Sequence, residues 1–194
     1  MDPAKRRLLA IATGVTFVAW SAVILLGLPT DRAAVLLSNL GQCAAPALAA
    51  VGCVLASRRA ISQRHALGWK LLAASALSWC LGQVVWTCYE VTRAAAPFPS
   101  LADVGYLLAF PLALAAIWTM SVRSSTSSWL VALLDALIIA GGLLAISWPL
   151  VLGPSWEDAG SSSTFEFALT LAYPVGDLIV ISAVLLAIMR TDRE

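Results

Sequence analysis

Six apolar runs set the terms on which this chain can fold: Leu8–Leu28, Ala33–Ser57, Trp69–Glu90, Asp103–Val122, Trp129–Leu152 and Ala168–Met189. Each approaches or exceeds the roughly 20 residues that cross about 30 Å of hydrocarbon at about 1.5 Å per residue. Their periodicity is helical or unreadable, and none alternates as a barrel strand does. Composition agrees. The chain is 60% hydrophobic and 12% charged, whereas globular proteins average about 45–50% and about 25%. A soluble domain could not hide this much apolar surface. The expected fold class is all-α: a polytopic transmembrane bundle of about six helices, forming a single domain over 1–194.

Orientation follows from the cations. With a cytoplasmic N-terminus, Lys5, Arg6, Arg7, Arg58, Arg59, Arg64, Lys70, Arg123, Arg190 and Arg193 fall inside, and only Arg32 and Arg93 fall outside. The loops are short, so this bias is a topology signal and predicts both termini in the cytoplasm. The expected location is a membrane, crossed several times. The first run follows three cations but is longer than a signal-peptide core, and it lacks a small-x-small cleavage site, so it reads as an uncleaved anchor. Trp69, Trp118 and Trp129 fall near inner helix ends, and Trp86, Trp148 and Trp156 near outer ends, where interfacial belts place such rings. Trp20 and Trp79 lie deeper and read as packing residues.

Composition narrows the chemistry. A net charge of +1 gives no basic field for nucleic acid, so no nucleic-acid partner is expected. The single histidine, His65, lies in an inner loop. It excludes a bis-His haem site within one chain and a histidine-rich metal site, so no metal and no cofactor are expected. Cys43, Cys53, Cys80 and Cys88 all lie in predicted helices without zinc-type spacing and read as packing thiols, although Cys88 is near enough to the outer boundary to leave a disulfide open. Small residues at four-residue spacing let helix backbones approach. Two such stripes are predicted contact faces: Gly41, Ala45, Ala49, Cys53 and Ser57, and Ala74, Ser78 and Gly82.

Polar residues inside the apolar runs are the candidate site. Asp177 lies about ten residues, or about 15 Å, into the sixth run, where a charge costs from about 2.5 to over 10 kcal/mol. Pro174 and Gly176 stand beside it. Gln42 and Gln83 reach similar depth, so Gln42, Gln83 and Asp177 form an expected midplane layer. That layer is either a ligand or proton site or a structural hydrogen bond between helices. Asp135, near the inner end of the fifth run, reads as structural. A second candidate lies at the outer face: Trp86, Tyr89, Glu90, Arg93 and Asp103. There the cation and carboxylates would hold a polar headgroup over aromatic rings. The plainer account of part of this cluster is a helix start, with Ser100 as N-cap and Asp103 as an acidic capping-box partner after the rigid Pro97-Phe98-Pro99.

An internal echo accompanies these residues. Asp103 precedes Phe110-Pro111 by the spacing at which Glu166 precedes Tyr173-Pro174, and Leu108/Leu171 and Ala109/Ala172 fall in step. Two copies of one hairpin are implied, running parallel, each with a proline kink at Pro111 or Pro174. Proline removes the donor for the carbonyl four residues back.

The stretch Trp79-Cys80-Leu81-Gly82-Gln83-Val84-Val85-Trp86-Thr87-Cys88-Tyr89-Glu90, then Pro97-Phe98-Pro99-Ser100-Leu101-Ala102-Asp103-Val104-Gly105-Tyr106-Leu107, Phe110-Pro111 and Ala172-Tyr173-Pro174-Val175-Gly176-Asp177, resembles the N-terminal membrane region of bacterial, especially actinobacterial, signalling proteins. The likeness covers roughly residues 70–190. Those proteins carry C-terminal GGDEF and EAL domains that make or degrade cyclic di-GMP, or kinase domains. The resemblance implies a membrane-embedded sensor or anchoring module, partnered by the lipid bilayer, by a second copy in a homodimer, and by a cytoplasmic GGDEF/EAL or kinase output. This chain departs from the family pattern: it stops at Glu194 with no output domain, so no catalytic residue carries over and no enzyme activity is expected. The competing expectation is a small transporter or channel component built on the midplane polar layer.

Overall fold

A computed structural model describes residues 3–25, 31–92, 97–121, 129–154 and 163–191. The described residues are helical: α1 (Pro3–Leu25), α2 (Asp31–Arg58), α3 (Gln63–Thr92), α4 (Leu101–Ser121), α5 (Trp129–Ser147) with a π-helical turn over Trp148–Leu152, and α6 (Thr164–Thr191). Four stretches are long and apolar enough to cross a bilayer: Ala33–Arg58, Gln63–Thr92, Leu101–Ser121 and Thr164–Ile188. Among the described residues the apolar stretches of the other two helices are Gly14–Val23 and Leu137–Leu150, so four of the six helices qualify there by length and composition.

Observed helices overrun the apolar runs at their polar ends, because caps rather than hydropathy end a helix. Before α3, Ser62 Oγ accepts the His65 backbone N–H at 3.3 Å and pairs with His65 Nδ1 at 2.7 Å, so α3 starts at Gln63 instead of Trp69. Before α6, Ser163 Oγ accepts the Glu166 N–H at 3.3 Å while Glu166 Oε2 accepts the Ser163 N–H at 3.0 Å. This reciprocal capping box starts α6 at Thr164 instead of Ala168.

The chain divides into two compact units, Met1–Ala44 and Ala45–Glu194, with the boundary inside α2 beside Pro46. In the first unit Trp20 has the packing role expected of it: its indole lies against Gly41, where an added Cβ would come within 2.9 Å of Nε1. Farther along α2, Ala50 and Ser57 are buried. Ala45 and Ala49 are exposed, so the predicted α2 stripe is not one continuous contact face. Their small side chains leave the register of the face undetermined, and Pro46, which the sequence reading did not weigh, lies between them.

The second unit is built on an antiparallel α3–α4 hairpin. Along it Gly68 meets Met120 and Thr119, and Gly82 meets Ala102 and Tyr106. The predicted face around Ser78 and Gly82 is buried here. Lipid supplies no hydrophobic drive between helices, so close backbone approach and interhelical hydrogen bonds hold the pair. Ser75 Oγ donates to Ala109 O at 2.8 Å, and Ser78 Oγ to Gly105 O at 2.7 Å.

Helix α6 packs on α4 and on α5. Its contacts with α4 advance in the same direction along both chains: Tyr173 bonds Asp103, and Gly176 lies against Phe110. The two helices are therefore parallel. Both also end about 18 residues, or about 27 Å, beyond the Tyr173–Asp103 contact. The chain leaves α4 at one end of the pair and re-enters α6 at the other, so the segment carrying α5 returns along the bundle's length. Pro111 and Pro174 lie within α4 and α6, which continue through them.

Candidate functional site

The polar interior of the second unit gathers where α3, α4 and α6 meet. Asp103 is its centre. It sits in the first turn of α4 and is 5% exposed. Its position follows from local chemistry. Pro97 and Pro99 oppose helix, the Phe98–Pro99 peptide is cis, and Ser100 then opens α4. Ser100 Oγ accepts the Ala102 N–H at 3.2 Å, and Asp103 Oδ2 accepts the Ser100 N–H at 2.6 Å and its hydroxyl at 3.2 Å. This is the capping box expected from the sequence. The box leaves the other oxygen free to accept, and the Tyr173 hydroxyl of α6 donates to Asp103 Oδ1. An ionised carboxylate accepts hydrogen bonds and donates none, so three donors converging on one carboxylate are chemically matched.

One helical turn along α4, Tyr106 lies on the same face as Asp103, since residues three apart are neighbours. Its hydroxyl donates to Gln83 Oε1 of α3 at 2.7 Å, and Gln83 is 3% exposed. The Tyr106 ring packs against Trp79 at 4.9 Å between centroids and meets Tyr173 edge-on at 6.4 Å. Trp79, Tyr106 and Tyr173 thus form an aromatic row across three helices, with Gln83 and Asp103 receiving the two phenolic protons. Each tyrosine ring supplies apolar bulk and one polar tip, and each hydroxyl has an acceptor on a neighbouring helix.

The sequence-derived candidates separate. Gln83 belongs to this network, accepting from Tyr106. Gln42 lies in the first unit, exposed, donating to Ser38 Oγ at 3.1 Å. Asp177 is exposed on α6, one turn beyond Tyr173. At the outer face Asp103 is buried while Glu90 is exposed and Trp86 and Tyr89 are half-buried. Arg93 lies outside the described residues. Asp135 is half-buried on α5. The four cysteines are free thiols, and among the described residues no group of three or more side chains is placed to hold a metal ion.

Sequence reasoning passed over Tyr106 and Tyr173 as chemistry. The signal was present: the chain has three tyrosines, all within apolar runs and two of them, Tyr106 and Tyr173, away from the run ends, and a phenol there needs an acceptor. Asp103 and Gln83 are among the few acceptors within reach of those runs.

No family model matches the chain. Comparison with curated proteins and with solved structures gives no match either.

Proposed function

We propose that the chain is a membrane-embedded sensory or anchoring module of a bacterial signalling protein. In this reading it crosses the inner membrane six times with both termini in the cytoplasm. The ten-to-two bias of cations and the return path required between parallel α4 and α6 both favour six crossings over four. Helix α1 and the α5 segment, Pro3–Leu25 and Trp129–Leu152, are then the first and fifth spans.

One observation carries the signalling reading. Helix α6 is joined to the α3–α4 hairpin by a part-buried hydrogen bond from Tyr173 to the carboxylate that also caps α4. A stimulus at the outer Pro97–Asp103 connection changes the acceptor offered to Tyr173 and so changes how α6 sits on the hairpin. The α6 end then passes that shift to a cytoplasmic GGDEF, EAL or kinase partner, with a second copy completing a homodimer.

The test is a fusion. A diguanylate cyclase domain is joined in frame after Glu194 and cyclic di-GMP is measured in cells for the parent and for Tyr173→Phe. At equal membrane abundance, output is expected to change about fivefold or more, the range typical of coupled sites. Equal output from both removes the support for coupling through α6. The exposed Asp177 carboxylate on a membrane-length helix favours a second reading, a small transporter or channel component. Proton- or ion-dependent uptake into vesicles that is lost with Asp177→Asn would select it.

A further inference from the structure

The connection between α2 and α3 concentrates positive charge on an exposed surface. Arg58 and Arg59 end the α2 side, Arg64 and Lys70 stand in the first two turns of α3, and all four are exposed. The turn that spaces them is tight: Arg59 N–H donates to Ala56 O at 3.0 Å and Ala60 N–H to Ser57 O at 3.4 Å. No acidic residue occurs between Asp31 and Glu90, so neither helix supplies a counter-charge near the turn. Neighbouring α4, which meets Gly68 through Met120 and Thr119, carries its one acid, Asp103, at its opposite end. At the tip of this cationic turn stands Ile61, 105% exposed. Trp69, half-buried, lies beside Lys70.

Cations alone suit any anion. Cations around a fully exposed isoleucine, with an indole about two turns along α3, suit an anionic surface that has an apolar layer beneath it. Long basic side chains place their charge at the headgroups while their stems lie along apolar matter, and indoles favour that boundary.

We propose that the α2–α3 turn binds anionic phospholipid headgroups of the leaflet it faces. Arg58, Arg59, Arg64 and Lys70 engage the phosphates, and Ile61 reaches the acyl boundary. This inference rests on the chain spanning a membrane and is independent of whether it signals.

The test uses the purified full chain in nanodiscs holding equal phosphatidylglycerol and phosphatidylcholine, with retained lipid identified by native mass spectrometry. Retained lipid is expected to be enriched in phosphatidylglycerol. The quadruple variant R58Q/R59Q/R64Q/K70Q is expected to lower that retention about tenfold or more, since each basic residue near an anionic surface adds to the attraction. Ile61→Ser changes a side chain that packs against nothing, so it keeps the fold and is also expected to lower retention. A control that neutralises Lys5, Arg6 and Arg7 removes comparable charge from the same leaflet and is expected to lower retention less than the quadruple variant does. Equal loss from the control and the quadruple variant overturns the site, as does unchanged retention in Ile61→Ser. Displacement of the lipid by soluble glycerol phosphate overturns it in favour of a free-anion site. Equal retention of both lipids overturns the anionic preference but leaves the membrane reading standing. A chain that stays monomeric in water without lipid would instead remove the membrane reading itself.

Discussion

Gly105→Ala is expected to destabilise the chain by about 2–3 kcal/mol, toward the upper end of what overpacking costs. A Cβ at this position would lie 2.7 Å from the Gly82 nitrogen and 2.8 Å from both the Gly82 Cα and the Ser78 carbonyl oxygen. All three obstacles are backbone, so no side chain can swing aside, and relief requires α3 and α4 to separate. Separation in turn lengthens the Ser78 to Gly105 O bond, at present 2.7 Å, and weakens the Tyr106 to Gln83 contact beside it. Gly141→Ala is the matched control. It also adds one methyl to an apolar helix, but a Cβ there meets nothing within 4 Å, and the higher helix propensity of alanine favours it. Unfolding in mixed micelles, followed by circular dichroism against added denaturing detergent, separates the two. The expected order is Gly105→Ala far below the parent and Gly141→Ala at or above it. Equal behaviour of the two would mean that α3 and α4 do not cross at the Gly82–Gly105 pair.

Asp103→Ala is expected to cost about 2–3 kcal/mol. It removes the acidic half of a capping box, where a lost cap costs about 1 kcal/mol. It also strands the half-buried Tyr173 hydroxyl, removing a hydrogen bond to a carboxylate worth about 1–2 kcal/mol. Tyr173→Phe removes the same interhelical bond from the other side and leaves Ser100 still bonded to Asp103, so its cost is smaller, about 1–2 kcal/mol. The diagnostic quantity is the cycle. If the two groups act through each other, the double variant is less destabilised than the sum of the singles by about 0.5 kcal/mol or more. Interhelical hydrogen bonds in membranes average about 0.6 kcal/mol and reach about 1.7 kcal/mol, so this bond, the one to Asp103 Oδ1 beside the two that Oδ2 accepts, is expected within that range. Strict additivity would place Asp103 in the α4 cap alone and would detach α6 from the proposed coupling.

The same residues mark what could be read from the sequence. Helical character, approximate spans and the Ser78–Gly82 face were legible because hydropathy and small-residue spacing are local properties of one helix. The Ser100–Asp103 box was legible for the same reason, since its partners are three residues apart. Helix starts at Gln63 and Thr164 were missed because the apolar runs stop short of the capped polar turns that precede them. The site was legible only as parts. Gln83 and Asp103 stood out as polar residues in costly places, but the residues that satisfy them, Tyr106 and Tyr173, are separated from them by 23 and 70 positions, and no local pattern encodes such a pairing. Both members of the internal echo, Asp103 and Glu166, accept the backbone N–H of a serine three residues earlier at a helix start. Across the two helices, however, Asp103 meets Tyr173, about two turns farther along α6 than Glu166.

The central claim is a membrane bundle in which α4 and α6 run parallel, so that the starts of both helices lie on one face of the bilayer and the α2–α3 turn lies on the other. Site-directed labelling tests it directly. In a background lacking Cys43, Cys53, Cys80 and Cys88, single cysteines are placed at Gln63, Phe98 and Ser163, and intact spheroplasts are treated with a membrane-impermeant maleimide. The account predicts labelling of Phe98→Cys and Ser163→Cys from outside, and labelling of Gln63→Cys only after lysis. Labelling of Ser163→Cys together with Gln63→Cys only after lysis would contradict it, because α6 would then run antiparallel to α4 and the Tyr173–Asp103 bond could not form as described.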